Sequence, residues 1–437
     1  MIQRSLASVL VLCVAISAAV ARAGAPGDAV DRQIDAYLAP YLANRMFSGV
    51  VLVARKGRPE IVRCYDIEEQ PCAPGAAGAR FRIASITKTF TAAAIELLAQ
   101  RRRVGFADTL DRYIPSFPNG SHITIRMLLL HKAGLADPDY SKFSSRHCSI
   151  DELIGNIALQ KPLFAPGADE RYSNAGYIIL AKVIEVASGK RYARFLQNEF
   201  FTPLALSNTL ANDESAPIPG RVTAYVPGPP PTYVSPAPFV SSDIFVGSGI
   251  LLSSAHDLMR WAQLVASSRL VDMSKLEYPY GWGVRHYFDD AVIEQSGEIT
   301  GAISYLAHYR HRGTTVVVLS NLEAGPNDRI GLALGSIAAG KPVAAPSFPK
   351  LYGGPRPSAG EGYYSGDVGS IHLRDHDGNL FAQWDGAPDQ QYLQPIGRSA
   401  FFVREDSSII TIESSTRFLR QWGDGTPVEF TVAPERT

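Results

Sequence analysis

The sequence lacks the features that mark nucleic-acid-binding, metal-binding and repeat proteins. Its 437 residues carry 42 basic and 42 acidic side chains. No run of lysine and arginine is interleaved with aromatics, so we expect no nucleic-acid partner. Cysteine and histidine do not occur at the spacing of a metal site, and we expect neither a metal nor another cofactor. No internal repeat is found.

The length and the composition indicate an ordinary globular protein with more than one core. A chain of 437 residues is too long for one small core and predicts two domains, or one large domain with an appendage. Apolar residues make up 46% of the chain and charged residues 19%, which is typical of a soluble fold.

Residues 1–23 have the pattern of a signal peptide. Arg4 provides a positive charge, "LASVLVLCVAISAAV" is apolar, and Ala21 and Ala23 form a small-x-small cleavage site. The apolar run is close to the lower limit for a membrane span, so an uncleaved anchor is the alternative. A lipoprotein site at Cys13 is excluded because bulky Leu12 precedes it. We expect cleavage, no transmembrane anchor in the mature chain, and export to a bacterial periplasm or the medium.

Three cysteines follow the predicted cleavage site. Cys64 and Cys72 flank a short excursion, "CYDIEEQPC", and export permits a disulfide between them. A pair of free thiols explains the same residues equally well. Cys148 has no obvious partner.

The order of predicted elements indicates an α/β (α+β) fold in which an antiparallel sheet is flanked by helices and interrupted by an all-helical insert. A β-hairpin near "FSGVVLVARKG" comes first, a long helical region follows, and strands return at "AVIEQSG", "AISYLAHYR" and "TTVVVLSN". We assign 24–340 to this unit and 341–360 to a Pro/Gly linker. Short strands at regular spacing over 361–437 predict a small antiparallel β domain, either a barrel or a sandwich.

Two Ser-x-x-Lys sequences occur, and only one has a context that suits catalysis. Ser347 and Lys350 enclose Pro349 within the linker, where no helix can hold their side chains together. Ser85 opens a predicted helix, so Lys88 lies on the same face and can reach its Oγ. The positive end of the helix also favours an oxyanion beside Ser85.

Ser85 needs a group that accepts its proton, since a serine hydroxyl is a poor nucleophile. Lys88 can be this base only if its pKa is depressed. The sole Tyr-x-Asn of the chain, Tyr172 and Asn174, supplies candidates for assistance. A tyrosinate near Lys88 can act as the base, and the Asn174 amide can orient Lys88 and substrate. Taken singly, Ser85 and Asn174 are equally typical of helix caps.

These motifs resemble those of the penicillin-recognising serine hydrolases, in particular the class C β-lactamase-like branch with its esterases, D-amino-acid peptidases and low-molecular-mass penicillin-binding proteins. The resemblance covers residues 30–340 and includes "FFTPLALSNT" and "GSGILLSSAHDLMRW", although "HKAG" departs from the usual His-Thr-Ser-Gly. It implies that Ser85 is acylated and Lys88 is its partner. It also implies that Tyr172 shuttles the proton and that Asn174 orients the site.

The third motif of that family is altered in this chain. Where the family has Lys-Thr-Gly or His-x-Gly, the corresponding strand reads Gln295-Ser296-Gly297, so the cation is lost. The resemblance implies that these three residues contact substrate and that the backbone N–H groups of Ser85 and Glu298 form the oxyanion hole. Gln295 is also compatible with an ordinary strand residue.

The sequence therefore predicts a secreted serine hydrolase that acts through an acyl-enzyme on esters or amides, D-amino-acid peptides among them, with weak β-lactamase activity. Its expected partner is a small-molecule or peptide substrate. The alternative is a catalytically weak relative that binds cell-wall peptide or another exported ligand. An α/β-hydrolase is excluded because no Gly-x-Ser-x-Gly elbow is present.

Overall fold

The computed structural model describes residues 29–434 apart from 59, 67–77, 213–216, 231–232, 268–279, 351, 353–360, 386–389 and 423–424. The predicted signal peptide, most of the second half of the predicted linker, and Cys72 lie outside the described residues. Within these ranges no helix is both long and apolar enough to cross a membrane.

The helices of the described chain surround one sheet. In chain order they are α1 Ala29–Ala43, α2 Thr87–Gln100, α3 Ile125–Leu129, α4 Ile150–Leu159, α5 Asn174–Ser188, α6 Tyr192–Leu196, α7 Ala255–Ala266 and α8 Asn327–Ala338.

The first eleven strands belong to this part of the chain. They are β1 Gly49–Ala54, β2 Ile61–Tyr65, β3 Phe81–Arg82, β4 Leu210–Ala211, β5 Tyr225–Pro227, β6 Val234–Pro236, β7 Leu251–Ser253, β8 Gly283–Tyr287, β9 Asp290–Ile299, β10 Ala302–Tyr309 and β11 Thr314–Ser320.

The central sheet has six antiparallel strands in the order β2-β1-β11-β10-β9-β8. Alternate side chains of a strand point to opposite faces, and β1 shows the result. Val50 and Leu52 belong to the core shared with α2, α5 and α7, whereas Val51 and Val53 pack with α1 and α8. Both faces are therefore buried, which explains why β1, β10 and β11 are buried at every position.

The helical region lies between β2 and β8 in the sequence and packs on one face of the sheet. Its central helix is α2, whose residues Thr87–Ile95 are all buried. Phe90 on this helix stacks on Trp261 of α7 with ring centroids 4.0 Å apart, and an aromatic pair of this kind contributes about 0.5–1.5 kcal/mol beyond its buried area. The start of α2 is thus held rigidly against the sheet.

The C-terminal strands close into an eight-stranded antiparallel barrel in which each strand pairs with the next and β12 pairs with β19. These strands are β12 Gly362–Gly366, β13 Gly369–His376, β14 Asn379–Trp384, β15 Gln391–Pro395, β16 Ala400–Val403, β17 Ser408–Ser414, β18 Arg417–Trp422 and β19 Val428–Val432. Of the two predicted forms, the barrel is the one observed. The predicted fold class is confirmed.

Arg404, in the turn between β16 and β17, fixes the barrel to the sheet-containing part of the chain. Its buried guanidinium donates to Tyr233 O at 2.7 Å and to Asn44 O at 3.1 Å, and also to Arg45 O. In return Gly325 N donates to Arg404 O at 2.8 Å. The turn between β16 and β17 is therefore held beside the N-terminal end of α8.

Candidate active site

Ser85 lies in a single turn of 3₁₀-helix, Ala84–Ile86, which leads directly into α2. The residue before it, Ala84, has φ of 43°, a left-handed conformation that costs a residue with a side chain about 1–2 kcal/mol. Strain of this kind persists only where the surrounding structure imposes it, and it is common at functional sites. The predicted position of Ser85 at the start of the helix agrees with this geometry.

Lys88 is buried, and its Nζ has three oxygen neighbours. These are Ser85 Oγ at 3.0 Å, Asn174 Oδ1 at 2.7 Å and the backbone carbonyl of Ser248 at 3.1 Å. Burial lowers the pKa of the Lys88 ammonium to about 7, and the Asp137 carboxylate opposes part of this shift. A substantial fraction of Lys88 is therefore a neutral amine at neutral pH.

The three neighbours of Lys88 dictate how the neutral amine is oriented. An amide oxygen and a backbone carbonyl can only accept hydrogen bonds, whereas a hydroxyl can donate as well. The two hydrogens of neutral Nζ therefore point to Asn174 Oδ1 and Ser248 O. Its lone pair is left facing Ser85 Oγ, which is the orientation that a base needs to take the serine proton.

Asn174 is oriented in turn by Asp137, a residue that the sequence did not single out. Asn174 Nδ2 donates to Asp137 Oδ2 at 3.2 Å, so Oδ1 is the atom that faces Lys88. The other carboxylate oxygen of Asp137 accepts from Ala175 N at 2.8 Å, in the first turn of α5. Asp137 thus fixes both the amide and the end of the helix that carries it.

Tyr172 lies at the mouth of the site, with 54% of the residue exposed. Its ring stacks on His131 with centroids 4.6 Å apart, and Lys88 Nζ lies 4.6 Å from the centre of the same ring. Burial raises the pKa of Tyr172 to about 12, although the neighbouring side chains of Ser85 and Gln295 lower it in part. At neutral pH Tyr172 therefore carries its proton, unlike the tyrosinate considered from the sequence.

His131 supports Tyr172 as a neutral imidazole. Ser173 N donates to His131 Nδ1 at 3.1 Å, which leaves the ring hydrogen on Nε2. Burial lowers the pKa of His131 to about 4, with a further contribution from Lys88. A neutral ring can stack on Tyr172 without adding positive charge beside Lys88.

Strand β9 brings the third predicted motif close to Ser85. A Cβ placed on Gly297 would lie 2.7 Å from Ser85 N, so only glycine permits this approach. The ladder with β8 ends at Glu294, before Gln295. Gln295 lines the cleft, whereas Ser296 and Glu298 alternate to the opposite face of the sheet. The oxyanion-hole role of the Ser85 and Glu298 backbone stays a prediction.

The cleft beside Lys88 has a volume of about 410 Å³ and is lined by His131, Tyr172, Trp282 and Gln295 among others. Lys132 also lines it and lies 3.6 Å from Glu170. These two exposed charges at the mouth were not predicted.

Arg285, which could have replaced the lost cation, is held elsewhere by an ion pair. Its Nε lies 2.8 Å from Glu294 Oε1. Glu294 is nearly buried and also accepts from Tyr305 Oη at 2.6 Å. The charge of Arg285 is therefore already matched on the other face of β9.

The remaining cysteine predictions have different outcomes. Cys64 is disulfide-bonded, but Cys72 lies outside the described residues, so the pairing of the two stays a prediction. Cys148 is a free, buried thiol whose pKa burial raises to about 11. The described residues contain no cluster of metal-ligating side chains.

Comparison with known proteins gives consistent matches. A family profile described as "Beta-lactamase" matches residues 31–339. "Penicillin-binding protein 4*" of Bacillus subtilis is 28% identical over 390 residues, which are 80% of this chain and 84% of that protein. "Teichoic acid D-alanine hydrolase" of Staphylococcus aureus is 28% identical over 179 residues, or 40% of this chain and 44% of that protein.

A solved structure shares the fold of the sheet and its helices. The D-amino acid amidase from Ochrobactrum anthropi SV3, complexed with D-phenylalanine, superposes with a TM-score of 0.63 at 21% identity. The match covers 72% of this chain and all of that one. The family profile, the relatives and the arrangement of Ser85 and Lys88 agree: the chain belongs to the beta-lactamase family of penicillin-recognising serine hydrolases.

Proposed function

We propose that this protein is an exported hydrolase that forms an acyl-enzyme on Ser85 and turns over esters or amides. The observation that carries this proposal is the environment of Lys88, a buried amine whose pKa is lowered to about 7 and which lies 3.0 Å from Ser85 Oγ. A purely structural lysine gains nothing from such burial, because burial penalises its charged form.

In the proposed reaction, Ser85 Oγ attacks the carbonyl carbon and its proton passes to Lys88 Nζ. The oxyanion forms next to Ser85 N, where β9 approaches at Gly297. Tyr172, within reach of Ser85, relays a proton to the leaving oxygen or nitrogen as its bond to carbon breaks. Water then attacks the acyl group, gives its proton to the same base, and releases the acid with Ser85 restored.

We infer that the preferred substrates lack the carboxylate that penicillins carry. The corresponding strand offers the neutral amide of Gln295, and Arg285 is paired with Glu294. A charge-assisted hydrogen bond is about twice as strong as a neutral one, so a carboxylate gains less here. The relatives named for D-alanine hydrolysis and D-amino acid amide hydrolysis support D-amino acid esters and amides as the acyl donors.

The proposal includes export and the layout of the chain. Residues 1–23 would direct the chain across the membrane and be removed, 24–340 would carry the chemistry, and 361–437 would follow the 341–360 linker as a separate β unit. The disulfide at Cys64 supports an oxidising compartment, since disulfides are rare in reducing ones.

Intact-mass analysis of the purified mature chain tests the acyl-enzyme. After incubation with a fluorophosphonate, the mass should rise by one adduct in the wild type and remain unchanged in Ser85→Ala. Ser347→Ala is the matched control, because Ser347 belongs to the other Ser-x-x-Lys and is exposed. An adduct on Ser85→Ala, or turnover of p-nitrophenyl acetate by it above the buffer rate, contradicts the assignment.

A further inference from the structure

The backbone carbonyl of Ser248, one of the two acceptors that orient Lys88, lies in a turn that packs against α5. The preceding residue, Gly247, has φ of 74°, which glycine adopts without strain. A Cβ at this position would lie 2.3 Å from Tyr177 O and 2.7 Å from Ala181 Cβ, both on α5. A larger residue would therefore push the turn, and with it the Ser248 carbonyl, away from its place.

Thr91 holds the same turn from the side of α2. It is fully buried and lies three residues after Lys88, about one helical turn further along the same face. Thr91 Oγ1 donates to Gly247 O at 2.7 Å, and Lys88 Nζ donates to Ser248 O at 3.1 Å. Two successive carbonyls of the turn are thus bound by two side chains on one face of α2.

The Thr91 hydroxyl has two backbone acceptors to choose between. The first is Thr87 O, four residues earlier, which is the usual partner of a threonine inside a helix. It lies 3.4 Å from Thr91 Oγ1, beyond the normal range for two oxygens, whereas Gly247 O is within that range. The hydroxyl hydrogen therefore points out of the helix, to the turn.

Tyr192 on α6 commits Thr91 to this direction. Its hydroxyl is buried, and burial raises its pKa, so it keeps its proton. Tyr192 Oη lies 2.6 Å from Thr91 Oγ1, and among the described residues it has no other hydrogen-bond partner. Tyr192 is therefore the donor of this pair, and the Thr91 hydrogen is left for Gly247 O.

The two acceptors of Lys88 thus have separate supports. Asp137 orients Asn174, as described above, and Thr91 fixes the residue that precedes Ser248. If the Thr91 hydroxyl were removed, Gly247 O would lose its donor and its peptide with Ser248 would be free to turn. The Ser248 carbonyl would then shift away from Lys88 Nζ.

We propose that Thr91, supported by Tyr192, is a positioning residue for the reaction at Ser85. It keeps the Ser248 carbonyl next to Lys88, so that one hydrogen of the neutral amine points to that carbonyl and the lone pair points to Ser85 Oγ. This role rests on the proposed function, because it takes Lys88 as the base. Neither Thr91 nor Tyr192 lines the cleft, so both act through Lys88 and not on substrate.

The rate of fluorophosphonate labelling, followed by intact mass in the full mature chain, tests this role. Thr91→Val keeps the shape of the side chain without its hydroxyl, and we expect labelling about tenfold slower. Thr91→Ser restores a hydroxyl and should label at nearly the wild-type rate. Thr315→Val is the matched control and should label as the wild type does. Thr315 is likewise fully buried, and its Oγ1 lies 2.8 Å from His308 Nδ1, within the sheet.

The pH dependence of labelling separates positioning from mere stability. The Ser248 carbonyl accepts a hydrogen bond from Lys88, and such a bond is stronger when the donor is charged. Its loss should lower the pKa of Lys88 further below about 7. In Thr91→Val the acidic limb of the labelling rate should therefore move to lower pH, by about half a unit or more. The other titratable groups that face Lys88 are unaltered in this variant: Asp137, His131, Tyr172 and Tyr177. A limb that stays in place overturns the proposal, whatever the rate.

Tyr192→Phe gives a second test that does not require Thr91→Val to fold. The ring is kept, but the Thr91 hydrogen is no longer committed to Gly247 O, so we expect labelling about two- to fivefold slower. Because Tyr192 acts through Thr91, the double variant should label no more slowly than Thr91→Val alone. Losses that multiply contradict this relay. If wild-type Ser85 forms no adduct, the proposed function is wrong; if it forms one and both single variants match the wild type, only the positioning role is wrong.

Discussion

Asp137 and Asn174 are joined by a hydrogen bond of 3.2 Å from the amide Nδ2 to the carboxylate Oδ2. This bond determines which end of the amide faces Lys88, and so places an acceptor 2.7 Å from Nζ. The orientation of the proposed base, Lys88, thus depends on a carboxylate that does not line the cleft.

Replacing Asp137 by Asn should impair catalysis while keeping the side-chain shape. The new amide can turn its Oδ1 to Ala175 N, but its Nδ2 would then oppose Asn174 Nδ2, and Asn174 would rotate its donor toward Lys88. Loss of a hydrogen bond to a charged group corresponds to a fall of about 10- to 100-fold in kcat/KM. The measurement is p-nitrophenyl acetate hydrolysis, with exposed Asp139→Asn as the control. Equal activities would remove the positioning role of Asp137.

Ester hydrolysis should lose activity as the pH falls through about 7. Below this value Lys88 is an ammonium ion with no lone pair, and above it the neutral amine can accept the serine proton. The profile of kcat/KM against pH reports the free enzyme. In Asp137→Asn the acidic limb should move to lower pH, because the lost carboxylate had favoured the charged lysine. A limb that stays in place, or moves upward, contradicts this assignment of the limb to Lys88.

Tyr172→Phe should keep the stack on His131 but lose the proton relay. Proton transfer by a positioned group typically contributes about 10²–10⁴-fold, and the rate should fall by that order. The acidic limb near pH 7 should persist, since the proposed base is Lys88. Near-wild-type turnover by Tyr172→Phe alongside an inactive Lys88→Ala would show that Lys88 acts without the relay. If the acidic limb disappeared in Tyr172→Phe, Tyr172 rather than Lys88 would be the base.

Gln295→Lys and Gln295→His should raise the kcat/KM for nitrocefin relative to that for a simple ester. The added cation can pair with the substrate carboxylate, for which a neutral amide is a weaker partner. Lys132→Met serves as the comparison, because Lys132 is the exposed cation of the cleft. Efficient nitrocefin hydrolysis by the wild type, unchanged by either Gln295 substitution, would show that Gln295 does not set the preference. If nitrocefin hydrolysis is abolished in Lys132→Met, Lys132 is the residue that binds the substrate carboxylate.

The sequence could predict those parts of the site whose side chains belong to a motif within one helix or one strand. Ser85 and Lys88 are one helical turn apart, so their contact follows from local geometry alone. The contacts of Ser248 and Asp137 depend on how distant loops pack, and a backbone carbonyl such as that of Ser248 has no sequence signature, since any residue can supply it. The sequence could not predict the protonation states of these side chains either, because they depend on burial. Burial lowers the pKa of Lys88 and raises that of Tyr172.

The fold shows a similar division. The alternation of apolar and polar residues predicted the hairpin of β1 and β2 and the short C-terminal strands, because successive side chains of a strand point to opposite faces. It could not choose between a barrel and a sandwich, since closure depends on the pairing of β12 with β19 at opposite ends of the segment. The docking of the barrel could not be predicted either, because it depends on the contacts of Arg404 with the distant backbone carbonyls of Asn44 and Tyr233.

The pairing of β1 with β11 also has a consequence for the order in which the chain folds. Ser320 Oγ donates to Ser48 O at 2.9 Å across 272 residues of sequence. During synthesis, the hairpin of β1 and β2 therefore carries an open, apolar edge until β11 leaves the ribosome, and such edges readily pair with other chains. Because β1 and β11 are so far apart in the sequence, the sheet should assemble more slowly than the helices fold. The helical region should thus fold first, and Ser85 at its edge should acquire its neighbour Gly297 only when β9 joins the sheet.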